Sequence, residues 1–339
     1  MARRRRLVAL GTAVLVGSSL AACGPHPVQR ARAQPKRPVH HWVAPRAATA
    51  PAAVLAAAPG FVPVAVVMDN APAARPQTGL DRASVVWELL AEGGITRFLC
   101  IFTGPAGTVG PVRSTRIYFD QLDRAYGLPF AHAGGNVDAL ADVAAWHLQD
   151  LDEIYDAGPY FWRSPSRPVP DNLYTSTDLL EEAIRARGYR GGPVPVPPEG
   201  PLPAGAVPTE AVRIAYADAP PVYVYEPGWT WQGGAWVRTV NGQVAAAADG
   251  QPVRAGTVLI LVVPYAPDPD PYTPGSIRML WDHPGPAWVL RDGRRIAASW
   301  RLGSDGIPEV LLGGRPVPVG PPPYWYEVVP QASDVSFQG

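Results

Sequence analysis

The sequence predicts an α/β (α+β) N-terminal domain followed by a β-rich sandwich or barrel-like C-terminal domain. Three observations predict it. Between residues 61 and 190, short apolar runs alternate with segments of helical period, the pattern of strands interleaved with helices. A stretch dense in Gly and Pro, 191–210, then interrupts all periodicity, as an interdomain linker does. From 211 to 330, short apolar runs recur between Gly-Gly, Asn-Gly and Asp-Gly turns with no helical period, which is the signature of a sandwich or barrel.

The elements follow in order. Val64 to Met68 is an apolar run that ends at Asp69-Asn70, a buried strand with a polar exit. Val85 to Glu92 and Ile95 to Thr103 read as strands joined by Gly93-Gly94. A two-residue turn there sets Glu92 opposite Ile95, Leu90 opposite Arg97 and Glu88 opposite Leu99. Glu88, Glu92 and Arg97 then share one face, and Trp87, Leu89, Phe98, Cys100 and Phe102 share the apolar one. Arg97 would reach both carboxylates. Arg116 to Tyr126, Val137 to Leu148 and Asp178 to Arg187 carry helical faces, and Pro129 to Ala133 is a strand entering Gly134-Gly135. Beyond the linker, strands are expected at Val212–Ala217, Val222–Glu226, Trp236–Val240, Thr257–Val263, Ile277–Trp281, Ala287–Leu290, Ile296–Leu302 and Tyr324–Val329. Residues 331–339 read as a tail.

The N-terminus sets the compartment. Arg3 to Arg6 precede a short apolar run, Leu7 to Leu20, which leads into Leu20-Ala21-Ala22-Cys23. The run is too short to span a bilayer and ends at a cleavage box, so residues 1–22 read as an export signal. Cys23 is the expected site of lipid attachment and of anchoring to the cell membrane, on its extracytoplasmic side. Residues 23–60, rich in Pro, Ala and Arg, read as a disordered tether holding His40 and His41.

Composition excludes several classes. Formal net charge is zero, so bulk charge gives nucleic acid no purchase. With Cys23 taken, Cys100 is the second of two cysteines; no intramolecular disulfide is available, and a buried thiol is expected. No zinc-type spacing occurs, and neither a metal nor another cofactor is expected.

The first domain resembles a known family. The residues that carry the resemblance are Val66-Val67-Met68-Asp69-Asn70, Ala73-Ala74-Arg75-Pro76-Gln77, Glu92-Gly93-Gly94-Ile95-Thr96-Arg97, Gly110-Pro111-Val112-Arg113-Ser114, His132-Ala133-Gly134-Gly135, Tyr160-Phe161-Trp162-Arg163 and Asn172-Leu173-Tyr174-Thr175. Their order is similar to the YerB-like lipoprotein family, which pairs N- and C-terminal domains of unknown function. The second domain matches through Asp292-Gly293-Arg294 and Ala298-Ser299-Trp300; Ala245 to Ala248 stand where the family carries a polar run. The resemblance implies an envelope lipoprotein and no particular reaction.

Candidate site residues sit at strand ends and loop junctions. Arg75, Arg97, Arg113 and Arg116 are expected to bind an anion, since guanidinium recognises carboxylate and phosphate bidentately. Asp69, Glu88, Glu92 and His132 are the polar groups expected beside them, His132 being suited to acid–base work if a carboxylate faces it. The plain reading of Arg116 is a surface pair with Asp120, four residues on. The tryptophans of the second domain suit either sugar stacking or a core. No complete catalytic constellation is visible. The expectation is therefore a binding or assembly factor for an anionic cell-wall polymer or lipid-linked pyrophosphate precursor, with another envelope protein as a further partner class; the alternative is an enzyme acting on such a ligand.

Overall fold

The computed structural model describes residues 53–216 and 225–339. Cys23, the expected signal segment, residues 23–52 of the expected tether, Ala217 at the end of the expected strand Val212–Ala217 and residues 222–224 of the expected strand Val222–Glu226 lie outside the described residues.

Few helices and many strands make up the fold. The N-terminal half supplies β1 (Val64–Asp69), β2 (Val85–Leu90), β3 (Thr96–Phe102), α1 (Ile117–Tyr126), β4 (Pro129–His132), α2 (Val137–Trp146), β5 (Gln149–Asp152) and α3 (Thr177–Arg187). The C-terminal half supplies β6 (Ala211–Ile214), β7 (Pro227–Gln232), β8 (Ala235–Val240), β9 (Thr257–Val262), β10 (Gly285–Arg291), β11 (Arg294–Leu302), β12 (Pro308–Leu312), β13 (Tyr324–Val329) and β14 (Val335–Gln338).

One sheet crosses both halves. Its longer strands lie in the order β12-β11-β10-β9-β13-β2-β3-β1-β4-β5. The seam is parallel: β13 runs beside β2, Tyr324 opposite Val85 and Glu327 opposite Glu88. Every residue of β13 is buried, as a central strand covered on both faces requires. Helix α1 covers the face that carries Trp87, whose indole N–H donates to the Tyr126 hydroxyl at 3.1 Å. Against the opposite face packs a second sheet containing β8-β7-β6-β14, with Trp229 edge-on to Trp325 at 5.0 Å. The C-terminal half is thus a sandwich layer built onto the N-terminal sheet, and among the described residues no barrel closes.

Four details depart from the sequence reading. The 191–210 stretch is not a free linker: Val194–Val196 pairs with Ala53–Leu55, at the end of the expected tether, and Val207–Pro208 pairs with β11. Val194 and Val196 alternate inward, so Pro-rich backbone is strapped down by its apolar residues. The 331–339 tail contains β14, which pairs with β6 and packs Val335 and Phe337 against the core.

The third departure is the hairpin register. Gly93 and Gly94 both adopt positive φ, 68° and 77°, and close a three-residue loop in which Ala91 N–H donates to the Ile95 carbonyl at 2.6 Å. Glu88 therefore faces Phe98, and Leu89 faces Arg97. Slipping the pairing by one residue puts side chains on opposite faces, so Glu88 and Arg97 point to opposite sides of the sheet. The fourth concerns the tryptophans: Trp229, Trp236, Trp281, Trp300 and Trp325 are buried, which favours the core reading over exposed sugar platforms.

Candidate functional site

The β1–β3 end of the sheet carries polar groups on both faces. On the face toward the second sheet, Glu88 and Glu327 lie side by side across the parallel seam, both 0% exposed. Arg238, from β8, reaches between them: Nη2 is 2.7 Å from Glu88 Oε2 and Nη1 is 2.9 Å from Glu327 Oε1. The indole of Trp229 donates to Glu327 at 2.9 Å. The Tyr225 hydroxyl donates to Glu88 and accepts from Arg238 Nη2 at 2.6 Å. Asn70 Nδ2 adds a bond of 2.7 Å to Thr96 Oγ1, which itself donates to Glu88 at 2.7 Å. Two buried carboxyls share one buried guanidinium. Burial, and then the neighbouring Glu88, push the Glu327 carboxyl up to about 8, so it holds a proton at neutral pH. The Arg238 guanidinium, stacked 4.5 Å over the Trp325 ring, stays charged.

Above this knot lies a cavity of about 250 Å³ lined by Arg75, Gln77, Phe98, Arg238, Val240 and Ala245 among others. Arg75 rests over the Tyr225 ring at 4.9 Å and donates from Nε to the Asn70 carbonyl at 3.2 Å. Among the described residues no carboxylate pairs with it. Burial lowers its guanidinium from the ordinary value, and the nearby Arg238 charge adds to this. Gln77 ties the wall together through Asn70 Oδ1 at 2.9 Å.

On the helix face, the other arginines each meet a carboxylate. Arg113 Nε lies 3.1 Å from Asp69 Oδ2. Arg97, opposite Asp69 across β1 and β3, donates to the Ser114 carbonyl at 2.8 Å and lies 3.7 Å from Glu92. Arg116 forks onto Glu92, with Nη2 donating at 2.9 Å; Asp120 is held instead by the Thr115 hydroxyl, which overturns the Arg116–Asp120 surface pair. Burial, followed by the Arg116 charge, lowers Arg97 to about 10. Asp171 joins this group: burial and then its contact with Asp69 raise it to about 6.

His132 ends β4, opposite Asp152 on β5. Its Nε2 is 2.9 Å from Asp150 Oδ1 and its Nδ1 is 3.0 Å from the Gly134 carbonyl. The expected residues therefore divide among three places. Asp69, Glu92, Arg97, Arg113 and Arg116 come together; Arg75 and Glu88 lie with the interior knot on the opposite face; His132 stands apart with Asp150 and Asp152. Sequence reasoning missed Arg238, Glu327, Tyr225 and Asp171. Glu327 had a usable signal, a single carboxylate inside the apolar run Tyr324–Val329.

Together these features define a two-half α/β-plus-β protein whose polar centre needs both halves: Glu88 comes from one, Arg238 and Glu327 from the other. The chain belongs to the family described as "Protein of unknown function (DUF3048)": its N-terminal domain matches residues 51–190 and its C-terminal domain residues 212–325. It is 32% identical over 285 residues, 81% of this chain and 83% of the relative, to the Bacillus subtilis (strain 168) protein described as "Putative lipoprotein YerB". The crystal structure of the YerB protein from Bacillus subtilis is similar with a TM-score of 0.74 and 28% identity, over 82% of this chain and 94% of that one.

Proposed function

We propose that the protein is a lipoprotein anchored through Cys23 on the extracytoplasmic side of the membrane, and that it binds an anionic cell-envelope ligand without transforming it. The relative's description supports the anchoring, together with the Leu20-Ala21-Ala22-Cys23 box. The observation that carries the binding reading is Arg75, a cavity-lining guanidinium with no carboxylate partner among the described residues. Arg238 is held between Glu88 and Glu327, and the Glu327 carboxyl is raised to about 8, so the two carboxyls do not balance Arg75 and Arg238 in full at neutral pH. That surplus of positive charge beside apolar walls (Leu80, Phe98, Val240, Ala245) suits an anionic group, phosphate or carboxylate, attached to an apolar or sugar body. Each arginine of the helix face already lies against a carboxylate, Arg97 and Arg116 against Glu92 and Arg113 against Asp69, which makes them the weaker anion site.

The test is thermal stabilisation by inorganic pyrophosphate and by anionic wall-polymer fragments. Arg75→Ala is expected to melt close to wild type without ligand, since it gives up one ring contact and one hydrogen bond, each about 1 kcal/mol. It is expected to lose the stabilisation that ligand gives wild type. Arg113→Ala is expected to keep it. Equal ligand stabilisation in Arg75→Ala and wild type overturns the assignment of the pocket.

A second reading, an enzyme on the same class of ligand, draws support from the Asp69–Asp171 carboxyl pair beside Arg113. One carboxyl raised to about 6 next to a guanidinium is a pairing used for proton transfer. Hydrolysis of a pyrophosphate-linked probe by the wild-type protein, absent in Asp171→Asn, would favour it.

A further inference from the structure

We infer that His132, Asp150 and Asp152 form a binding site for a divalent transition-metal ion of the Mn²⁺ or Zn²⁺ type. The site shares no residue with the Arg75 pocket and does not depend on the ligand proposed for it. Each of the three side chains offers a donor atom, and these atoms lie within 4.8 Å of one another. They come from the C-terminal end of β4 and from adjacent β5, where Asp150 and Asp152, two residues apart, project from the same face of the strand.

The second observation concerns bonding. His132 is 0% exposed, yet its Nε2 has no hydrogen-bond partner; neither does Asp150 Oδ1 or Asp152 Oδ2. Nε2 and Asp150 Oδ1 approach to 2.9 Å, but off the axis along which the ring nitrogen bonds, so the contact is not a hydrogen bond. A cation bonded to both atoms at about 2.1 Å would see them about a right angle apart, and would itself lie well off the line joining them. That is the arrangement of two neighbouring ligands in an octahedral shell, and it accounts for a close approach that fails as a hydrogen bond.

The remaining bonds orient these donors outward. Nδ1 meets the Gly134 carbonyl at 3.0 Å; the N–H placed there leaves the lone pair on Nε2, as in metal-ligating histidines. Asp152 Oδ1 accepts the Gly134 and Ile154 backbone N–H groups at 2.8 and 2.9 Å, fixing the carboxylate, while Oδ2 accepts no hydrogen bond and lies 3.8 Å from His132 Nδ1. Asp123 of α1 lies near Asp150 with neither carboxylate oxygen hydrogen-bonded; its burial, and then the Asp150 charge, raise it well above the usual carboxylate range. Asp150 is 28% exposed, which leaves an entry path. One imidazole and two carboxylates make a borderline donor set, better matched to Mn²⁺ or Zn²⁺ than to Ca²⁺, which takes oxygen ligands.

The test uses the purified full-length protein, stripped with chelator and titrated separately with Mn²⁺, Zn²⁺ and Ca²⁺ by calorimetry. One equivalent of Mn²⁺ or Zn²⁺ is expected to bind, with Ca²⁺ weaker. Asp150→Asn, isosteric and partly exposed, is expected to bind at least tenfold more weakly while keeping its circular dichroism. X-ray absorption of the Zn²⁺-loaded wild type, which needs no variant, is expected to show one imidazole among oxygen ligands. The competing account is a proton: an imidazolium ion-paired with Asp150. Failure of wild type to bind either metal stoichiometrically, a zinc shell without imidazole, or unchanged affinity in a folded Asp150→Asn overturns the site.

Discussion

Replacing Glu327 by Gln tests the buried carboxyl pair at the seam. The substitution keeps the shape, keeps an acceptor for Arg238 and Trp229, and fixes the uncharged state at every pH. In the wild type, burial and Glu88 raise the carboxyl from an ordinary 4.5 to about 8. A raised acid holds a proton in the folded chain that the unfolded chain has released. Its stability contribution is therefore complete below pH 4.5 and is lost as pH rises toward 8. At about 1.4 kcal/mol per pH unit, the ceiling over that window is about 5 kcal/mol, and about 3 kcal/mol of it is spent by pH 7. Urea unfolding of both proteins at intervals from pH 4.5 to 8.5 measures it. The two stability curves are expected to nearly coincide near pH 4.5 and diverge above, the variant being the more stable by up to about 3 kcal/mol at pH 7. Arg238→Met supplies the opposite sign: it strips both carboxyls of their guanidinium and is expected to cost about 3–5 kcal/mol, as breaking a buried pair does. Parallel pH profiles for wild type and Glu327→Gln, or a variant less stable at pH 7, would refute a protonated Glu327.

Two further outcomes follow from the chain's organisation. Cys23→Ala is expected to abolish incorporation of labelled fatty acid, and persistent labelling of the variant would exclude Cys23 as the attachment site. Limited proteolysis within 197–206 is expected to leave the two halves associated, because β13 and β2 pair in one sheet; their separation on a native sizing column after a single cut would contradict the shared core.

Much of the N-terminal half was legible in the sequence because its elements are strongly periodic and local. The run Val64–Asp69 and the helices at Ile117–Tyr126, Val137–Trp146 and Thr177–Arg187 stand within a residue or two of their expected bounds. What escaped was non-local. The parallel pairing of β13 with β2 joins residues more than two hundred positions apart, and nothing in either apolar run specifies its neighbour. Short edge strands such as Trp162–Arg163 are held by pairing with Leu173–Ser176 and have no period of their own.

The same distinction governs the site. Arg75, Asp69, Arg97, Arg113 and Arg116 were visible as charged residues at junctions, where exposure makes charge unremarkable and position has to be inferred. The residues that bind the two halves were visible in a different way. Glu88 in Val-Val-Trp-Glu-Leu-Leu, Arg238 in Ala-Trp-Val-Arg-Thr-Val and Glu327 in Tyr-Trp-Tyr-Glu-Val-Val are each one charge inside an apolar strand. A strand covered on both faces cannot keep such a charge unless an opposite one meets it or a proton neutralises it. Three such strands in one chain, two acidic and one basic, mark charges that must each find a partner or a proton, but the runs themselves do not say which strand meets which. The hairpin register decided which face Glu88 would occupy. The two-residue Gly-Gly turn would have turned it toward Arg97, while the three-residue loop turns it toward Arg238, so one residue of loop length determines whether the buried acid pairs within its own half or joins the halves together.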